Sequence, residues 1–437
     1  MSLIPARAGR WAARLILPLL AAWSFSVAFT FPEGRNLNRI WSDMEGYYAY
    51  LPAVFIYGSF DRDSLPLHTP QEFKAHPETG RINLRFTYGV ALMEAPFFGL
   101  AHLITKRGWF RTKKFPTGFT QAYSDALVAA ALVYTFWGLW LLMGLVRQQQ
   151  GDWAAVLLAV LLFWGSNLWF YAVVQSGMSH AYSFFLFAVL VWHTPRWLAR
   201  PSLGNYALMG ALVGLITLLR PTNAVVVLYP LLAGVTRWPD FTARLGGLLR
   251  QWPGLLLAAG AVLLLWLPQF AYWHHISGQW LYDSYEGYGF THLLSPRLGA
   301  VLFSPRNGWW VYSPLMILPV LAVFWALFQQ KGQGLPALLP LLLTLYLCGS
   351  WFEWWFGSSY GFRPVIEYYA LMALPMMGLL VWAWQRLHQT WQRGLLLLPL
   401  LLGIAYSLRM GYLYRWYWSH ADWTWEKWAE VMTTQFF

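Results

Sequence analysis

From residue 15 to residue 412, apolar runs of about 17 to 25 residues follow one another with short polar breaks between them. A hydrocarbon core roughly 30 Å thick is crossed by about 20 helical residues, and in lipid the backbone must satisfy its own hydrogen bonds. The pattern therefore predicts an all-α integral membrane protein. Spans are expected near 15–31, 122–146, 153–172, 179–195, 204–219, 222–236, 253–272, 308–328, 335–352, 365–385 and 394–412, about eleven transmembrane helices in one polytopic domain covering 1–437. Composition agrees: 58% of residues are hydrophobic and 11% charged, against roughly 25% charged in soluble domains.

The net charge of +12 does not call for nucleic acid as a partner, because the Lys and Arg residues fall mainly in short loops between spans, where positive charge marks the cytoplasmic side. With a cytoplasmic N-terminus, the loops holding Arg147, Arg196 and Arg200, Arg237 with Arg244 and Arg250, Lys331, and Arg386 with Arg393 share that side. Arg7, Arg10 and Arg14 precede LILPLLAAWSFSVAFTF, which reads as an uncleaved first helix rather than a secretory signal, since no small-x-small cleavage site follows it. The opposite face then collects the first extracytoplasmic loop, 32–121, the turn QSGMSH, the start of RPTN, the loop 273–307, the segment WFEWWFGSSYGFRP and a C-terminal aromatic interfacial tail, 413–437. FTYGVALMEAPFFGLAHLI, residues 86–104, is apolar enough to span but carries Glu94 and Pro96. The later basic loops keep their side only if it does not cross, so it is expected to lie in or dip into the outer interface. The lone cysteine, Cys348, permits no intramolecular disulfide.

The residues that could do chemistry gather on that outer face. WSDMEGYYAYLPAVFIYG, residues 41–58, sets Asp43 and Glu45 just beyond the first span, followed by an aromatic face of Tyr47, Tyr48 and Tyr50 and the polar loop DRDSLPLHTPQEFKAHPETGR. This predicts juxtamembrane helices and then an ordered excursion. Carboxylates at i and i+2 converge only on a bent or extended segment, not on one helical face. A carboxylate beside aromatic rings in low dielectric binds its proton more tightly, which suits a general base; the plainer alternative is that Ser42 or Asp43 caps the helix that begins near Met44. Arg220 in LITLLRPTNAV, Arg306 in LFSPRNGWWVYSP and Arg363 in SSYGFRPVIEYY could be snorkelling anchors. Together with the carboxylates they read as a phosphate site, because arginine offers a planar fork to phosphate oxygens. His180 should reach the same face, as a ligand contact or as a hydrogen-bonded structural residue. His274, His275, Asp283 and Glu286 match no firm zinc spacing, and a divalent cation at Asp43 and Glu45 would have two carboxylates alone, too few for a dedicated Mg or Mn site. No metal site is assigned.

The order of these features resembles the GT-C superfamily of membrane glycosyltransferases, which includes protein O-mannosyltransferases, the aminoarabinose transferase of lipid A and oligosaccharyltransferase. The resemblance covers most of the chain as architecture. Its specific part is Asp43-Met44-Glu45 after the first span, the aromatic YYAYLPAVFIYG, the proline-centred MEAPFF and the later RPTN and YGFRP stretches. It implies an inverting enzyme that takes a sugar from a polyprenyl-phosphate donor and gives it to a glycan, lipid or protein acceptor at the outer face of a bacterial inner membrane. By the same resemblance Asp43 is the base, Glu45 orients the acceptor or assists, and His180, Arg220, Arg306, Arg363, Tyr47 and Tyr48 contact substrate. The pair here is Asp-x-Glu rather than the commoner Asp-x-Asp or Glu-x-Asp. The large C-terminal domain of oligosaccharyltransferase has no counterpart in the sequence, so transfer to a protein sequon is not expected. A transporter or flippase of lipid-linked sugars predicts charges at mid-span and broken helices in paired halves; a polysaccharide polymerase or ligase would use similar donors without the early acidic loop.

Overall fold

A computed structural model describes residues 6–29, 39–69, 72–109, 116–417 and 424–434. Parts of the expected first loop (32–38, 70–71 and 110–115) and of the expected tail (418–423 and 435–437) lie outside the described residues. The fold is all-α. Among the described residues the only β-type pairings are two isolated bridges, Asp61 with Arg81 and Ala75 with Ile82.

Four helices are long and apolar enough to cross a membrane by length and composition: Arg7–Phe29, Gln121–Gln150, Trp252–Ser277 and Thr390–Tyr414. Shorter apolar helices accompany them, among them Asp152–Phe163, Leu203–Leu219 and Gly334–Ser350. Three of the stretches expected as continuous spans are interrupted. The run 153–172 divides into Asp152–Phe163 and Leu168–Val173, because Ser166 turns its hydroxyl back to the Leu162 carbonyl and also accepts from the Leu168 N–H. The run 222–236 starts as a 3-10 helix, Pro221–Val227, before a short turn of α-helix. In 308–328, Pro314 cannot donate into the helix Trp309–Tyr312 and restarts the chain through a 3-10 turn.

Packing follows side-chain size. Helix Gln121–Gln150 lies centrally, with more than half of its apolar window buried, whereas Trp252–Ser277 leaves most of its surface open. The latter packs closely on Leu203–Leu219 at Gly210, where a Cβ would collide with the Ala258 backbone, and at Gly214, where it would meet Val262 and Leu265. This small-x-x-x-small spacing lets two helices approach without a hydrophobic driving force between them.

A second packed unit forms around the first short helix. Helix Ser42–Tyr48, the following turns and the segments 59–69 and 72–88 build a second core under Tyr48, Leu65, Phe73, Ile82 and Leu84, packed on Phe98, Tyr123 and Tyr272. Tyr272 ties it to the long helix by donating to the Ile82 carbonyl and accepting from the Leu84 N–H. Asn83 and the Arg85 carbonyl hold the loop after that helix through Ser284. The segment 86–104 becomes a 19-residue helix, Gly89–Arg107, with Glu94 fully buried and bonded by the Tyr182 hydroxyl.

Candidate functional site

Helix Ser42–Tyr48 begins abruptly. Ser42 sits at φ +50, its N–H donates to Thr69 Oγ1 and its hydroxyl to Glu72. No side chain caps the helix, so Asp43 is free to point elsewhere. The helix is seated against the turn at Gly177, where a Cβ would lie 2.9 Å from Met44 Cβ.

In a helix, residues two apart face different sides, and the two carboxylates diverge accordingly. Asp43 meets Arg363 from the far end of the chain, Nη2 to Oδ2 at 2.8 Å. Glu45 turns the other way, fully buried, and accepts from the His68 N–H at 2.6 Å, the Thr69 N–H at 2.8 Å and the Thr69 hydroxyl at 2.5 Å. It is a pin for the 68–69 backbone, and it does not line the cavity into which Asp43 projects. A cation shared by both carboxylates finds no such pair here.

That cavity has a volume of about 620 Å³. Of the residues singled out from the sequence it brings together Asp43, Tyr47, His180, Arg220 and Arg363, with Asp283 of the loose metal set also on its wall. Tyr47 stacks on Phe86 with ring centroids 4.1 Å apart; burial raises its phenol above the ordinary value, so it faces the cavity as a neutral O–H. Tyr48 is not brought there. Its hydroxyl donates to the Gly118 carbonyl inside the second core. Arg306 is one layer back, its guanidinium 3.7 Å from the centroid of Trp355, which does line the cavity. His274 and Glu286 are not at the cavity wall, so the loose set His274, His275, Asp283 and Glu286 is not assembled there. No group of three or more metal-ligating side chains occurs among the described residues.

Behind the floor lies a buried polar cluster built from ends of helices. Arg220 closes Leu203–Leu219 just before Pro221 and reaches Glu367 Oε1 at 3.2 Å. Asn223 donates to the same oxygen at 3.0 Å. His180 Nδ1 is 3.2 Å from both Glu367 Oε2 and Arg220 Nη1; one nitrogen can donate to the carboxylate or accept from the guanidinium, not both. Glu367 thus neutralises Arg220 and fixes the imidazole. The sequence reading passed over Glu367 because it stands inside the apolar stretch RPVIEYY, with nothing local to announce a partner 147 residues away.

Two further charged groups at the cavity were also missed. Arg85 lies beside Tyr285, 6.0 Å from its ring centroid, and has no ion-pair partner among the described residues. Glu353 lines the opposite wall; burial pushes its carboxyl above the usual glutamate range, partly offset by Arg363. Burial works against the charge on Arg363 too, but Asp43 and its neighbours outweigh it and hold the guanidinium protonated beyond the ordinary arginine value. A separate groove of about 710 Å³, between Tyr50, Tyr88 and Tyr272, is lined by His275 of the loose metal set and by none of the residues expected to catalyse or to bind substrate.

Neither a family model nor a curated protein matches this chain. What the cavity can do is therefore argued from its own geometry: the carboxylates of Asp43, Asp283 and Glu353, the guanidiniums of Arg85, Arg220 and Arg363, and a wall of aromatic rings.

Proposed function

We propose that the chain is a membrane glycosyltransferase that moves a sugar from a polyprenyl-phosphate donor to an acceptor hydroxyl, with Asp43 as general base. The observation that carries this reading is the Asp43–Arg363 pair at 2.8 Å in a cavity that also presents Arg85 and Arg220. The acceptor O–H gives its proton to Asp43 while its oxygen bonds to the anomeric carbon. The bond from that carbon to the phosphate oxygen breaks, and its electron pair leaves with the lipid phosphate. Arginines preorganised where water is scarce stabilise that charge best. A guanidinium has five N–H donors, so Arg363 can hold Asp43 and a phosphate oxygen at once, setting base and leaving group on either side of the sugar. Attack opposite the leaving group inverts the anomeric centre. Phosphate leaves with little acid catalysis, so one base suffices and Glu45 is not required near the reacting atoms.

A lipid-linked donor keeps its prenyl chain in the bilayer and its phosphate at headgroup depth, which suits a site beside the juxtamembrane helix Ser42–Tyr48. On this reading about eleven helices cross a bacterial inner membrane, and the cavity opens on the extracytoplasmic face. A cysteine introduced at Leu281, which is 73% exposed, should react with an impermeant thiol reagent from outside only, in a Cys348→Ser background because Cys348 itself lines the cavity. Labelling from the cytoplasm would reverse the orientation. Transport of lipid-linked sugars is the second reading, favoured by Glu94, a fully buried carboxylate in a helix with one oxygen lacking a partner.

Mass spectrometry of lipids that copurify with the protein, before and after incubation with cell-envelope extract, separates the two. The transferase predicts a polyprenyl phosphosugar that is converted to unsubstituted polyprenyl phosphate. Phosphosugar that persists unchanged supports transport, and ordinary bilayer phospholipids alone would refute the donor class.

A further inference from the structure

The outer wall of the cavity is formed by the segment WFEWWFG, residues 351–357, which leaves helix Gly334–Ser350 and runs on without regular structure. Five of its seven residues are aromatic. Here Trp351, Phe352, Trp355 and Phe356 remain only partly buried and line the cavity together with Glu353.

The backbone is held in this shape at a cost. Phe356 lies at φ +56, a region in which a bulky side chain is an outlier, and Asn307 at φ +61, which asparagine tolerates. Asn307 fastens the loop: its amide nitrogen is 2.8 Å from the Trp355 carbonyl, 3.0 Å from the Gly357 carbonyl and 3.0 Å from Ser359 Oγ. Arg306, the next residue, lies over Trp355. Four of the five non-glycine residues with positive φ among those described are Ser42, Glu286, Asn307 and Phe356. Each adjoins a group at the site: Asp43, Tyr285, Arg306 and Trp355. Strain of this kind persists where the surroundings over-determine a functional arrangement.

The chemistry of the wall narrows what it holds. A hydrocarbon chain would not be served by a half-buried carboxylate, whose desolvation costs free energy unless a polar partner arrives. A pyranose ring has one face of C–H bonds and a rim of hydroxyls. The C–H face carries slight positive charge and suits the negative face of an indole, and the hydroxyl rim suits a carboxylate acceptor. Trp355 lines the cavity and Arg306 does not, and the guanidinium lies 3.7 Å from the indole centroid. We propose that the Trp351–Gly357 loop is a carbohydrate-binding wall: Trp355 is the platform for a pyranose ring, Glu353 accepts hydrogen bonds from its hydroxyls, and Arg306 is a positioning residue that holds the indole. This deepens the transferase reading and rests on it for the sugar's role in transfer, but saccharide binding is measurable without any turnover.

The test is saturation-transfer NMR on the full-length protein in lipid nanodiscs, with methyl glucoside, methyl mannoside and methyl galactoside as probes and adenine, which carries neither phosphate nor sugar, as a control for generic stacking. At least one pyranoside should receive saturation, strongest at the protons of its C–H face. Trp355→Ala should weaken that binding at least tenfold, Trp355→Phe should keep most of it, and Glu353→Gln should weaken it severalfold. Arg306→Gln should weaken it and Arg306→Lys restore it, a rescue that a merely structural role would not require. The proposal is overturned if no pyranoside binds, if adenine binds equally well, or if Trp355→Ala binds like the parent protein. Pyranoside binding that survives while no sugar is ever transferred would instead remove the transferase reading and leave the wall standing.

Discussion

Replacing Glu45 with glutamine separates a pin from a catalyst. The carboxylate is fully buried and accepts three hydrogen bonds, two from consecutive backbone N–H groups at 68 and 69 and one from the Thr69 hydroxyl. Glutamine keeps one acceptor oxygen and turns an NH₂ toward a backbone donor, so at least one of these bonds is lost and a buried donor is left facing another. A hydrogen bond to a charged group contributes about 1.5–3 kcal/mol, and an unsatisfied buried group costs about 1–3 kcal/mol more. The substitution should therefore destabilise by about 3–5 kcal/mol, a large share of a typical 5–15 kcal/mol, and lower the unfolding midpoint by about 3–5 °C. Tryptophan fluorescence on heating in nanodiscs reads the shift, and limited proteolysis should find the 59–82 segment opened first. Transfer per folded molecule should change less than about threefold, because Glu45 does not reach the cavity. A midpoint within about a degree of the parent, together with a loss of turnover on the 10²–10⁴ scale of general acid–base catalysis, would refute this and return Glu45 to the reacting atoms.

Two other perturbations follow from the same geometry. Arg220→Ala strands Glu367, which is fully buried, and should destabilise by about 3–5 kcal/mol; adding Glu367→Gln should recover much of that in a thermal double-mutant cycle, and strictly additive losses would deny the coupling. Burial raises the Glu353 carboxyl, so its neutral form adds stability that is complete below the ordinary glutamate value and is lost as pH rises through the raised one. Pyranoside affinity has the opposite sense: it should fall as pH drops through that raised value, and Glu353→Gln should abolish the pH dependence, whereas an unchanged acid limb would exclude Glu353.

How much of this was legible in the sequence differs from element to element. Helices such as Gln121–Gln150 and Trp252–Ser277 announce themselves because twenty or more apolar residues have one low-cost conformation in lipid. The break at 164–167 does not, since it depends on a serine hydroxyl returning to the Leu162 carbonyl. Asp43, Arg220 and Arg363 stood out as charges at the edges of apolar runs, and the fold brings all three to one cavity. Their pairings could not be read, because Asp43 and Arg363 are 320 residues apart. Glu45 and Tyr48 share the composition of site residues, yet helical phase turns both into the second core. Arg85 and Glu353 went unnoticed for the converse reason: each sits in an aromatic segment with no periodicity, and only the folded loops carry them to the cavity.

The central claim is that Asp43 takes the proton of the acceptor. The most direct measurement is a single-turnover comparison of the parent protein and Asp43→Asn, each loaded with the polyprenyl phosphosugar that copurifies and mixed with envelope acceptor. The account predicts that the variant folds, retains the donor and transfers sugar at least about 10²-fold more slowly, the lower range for losing a general base. Equal rates with equal donor occupancy would contradict it.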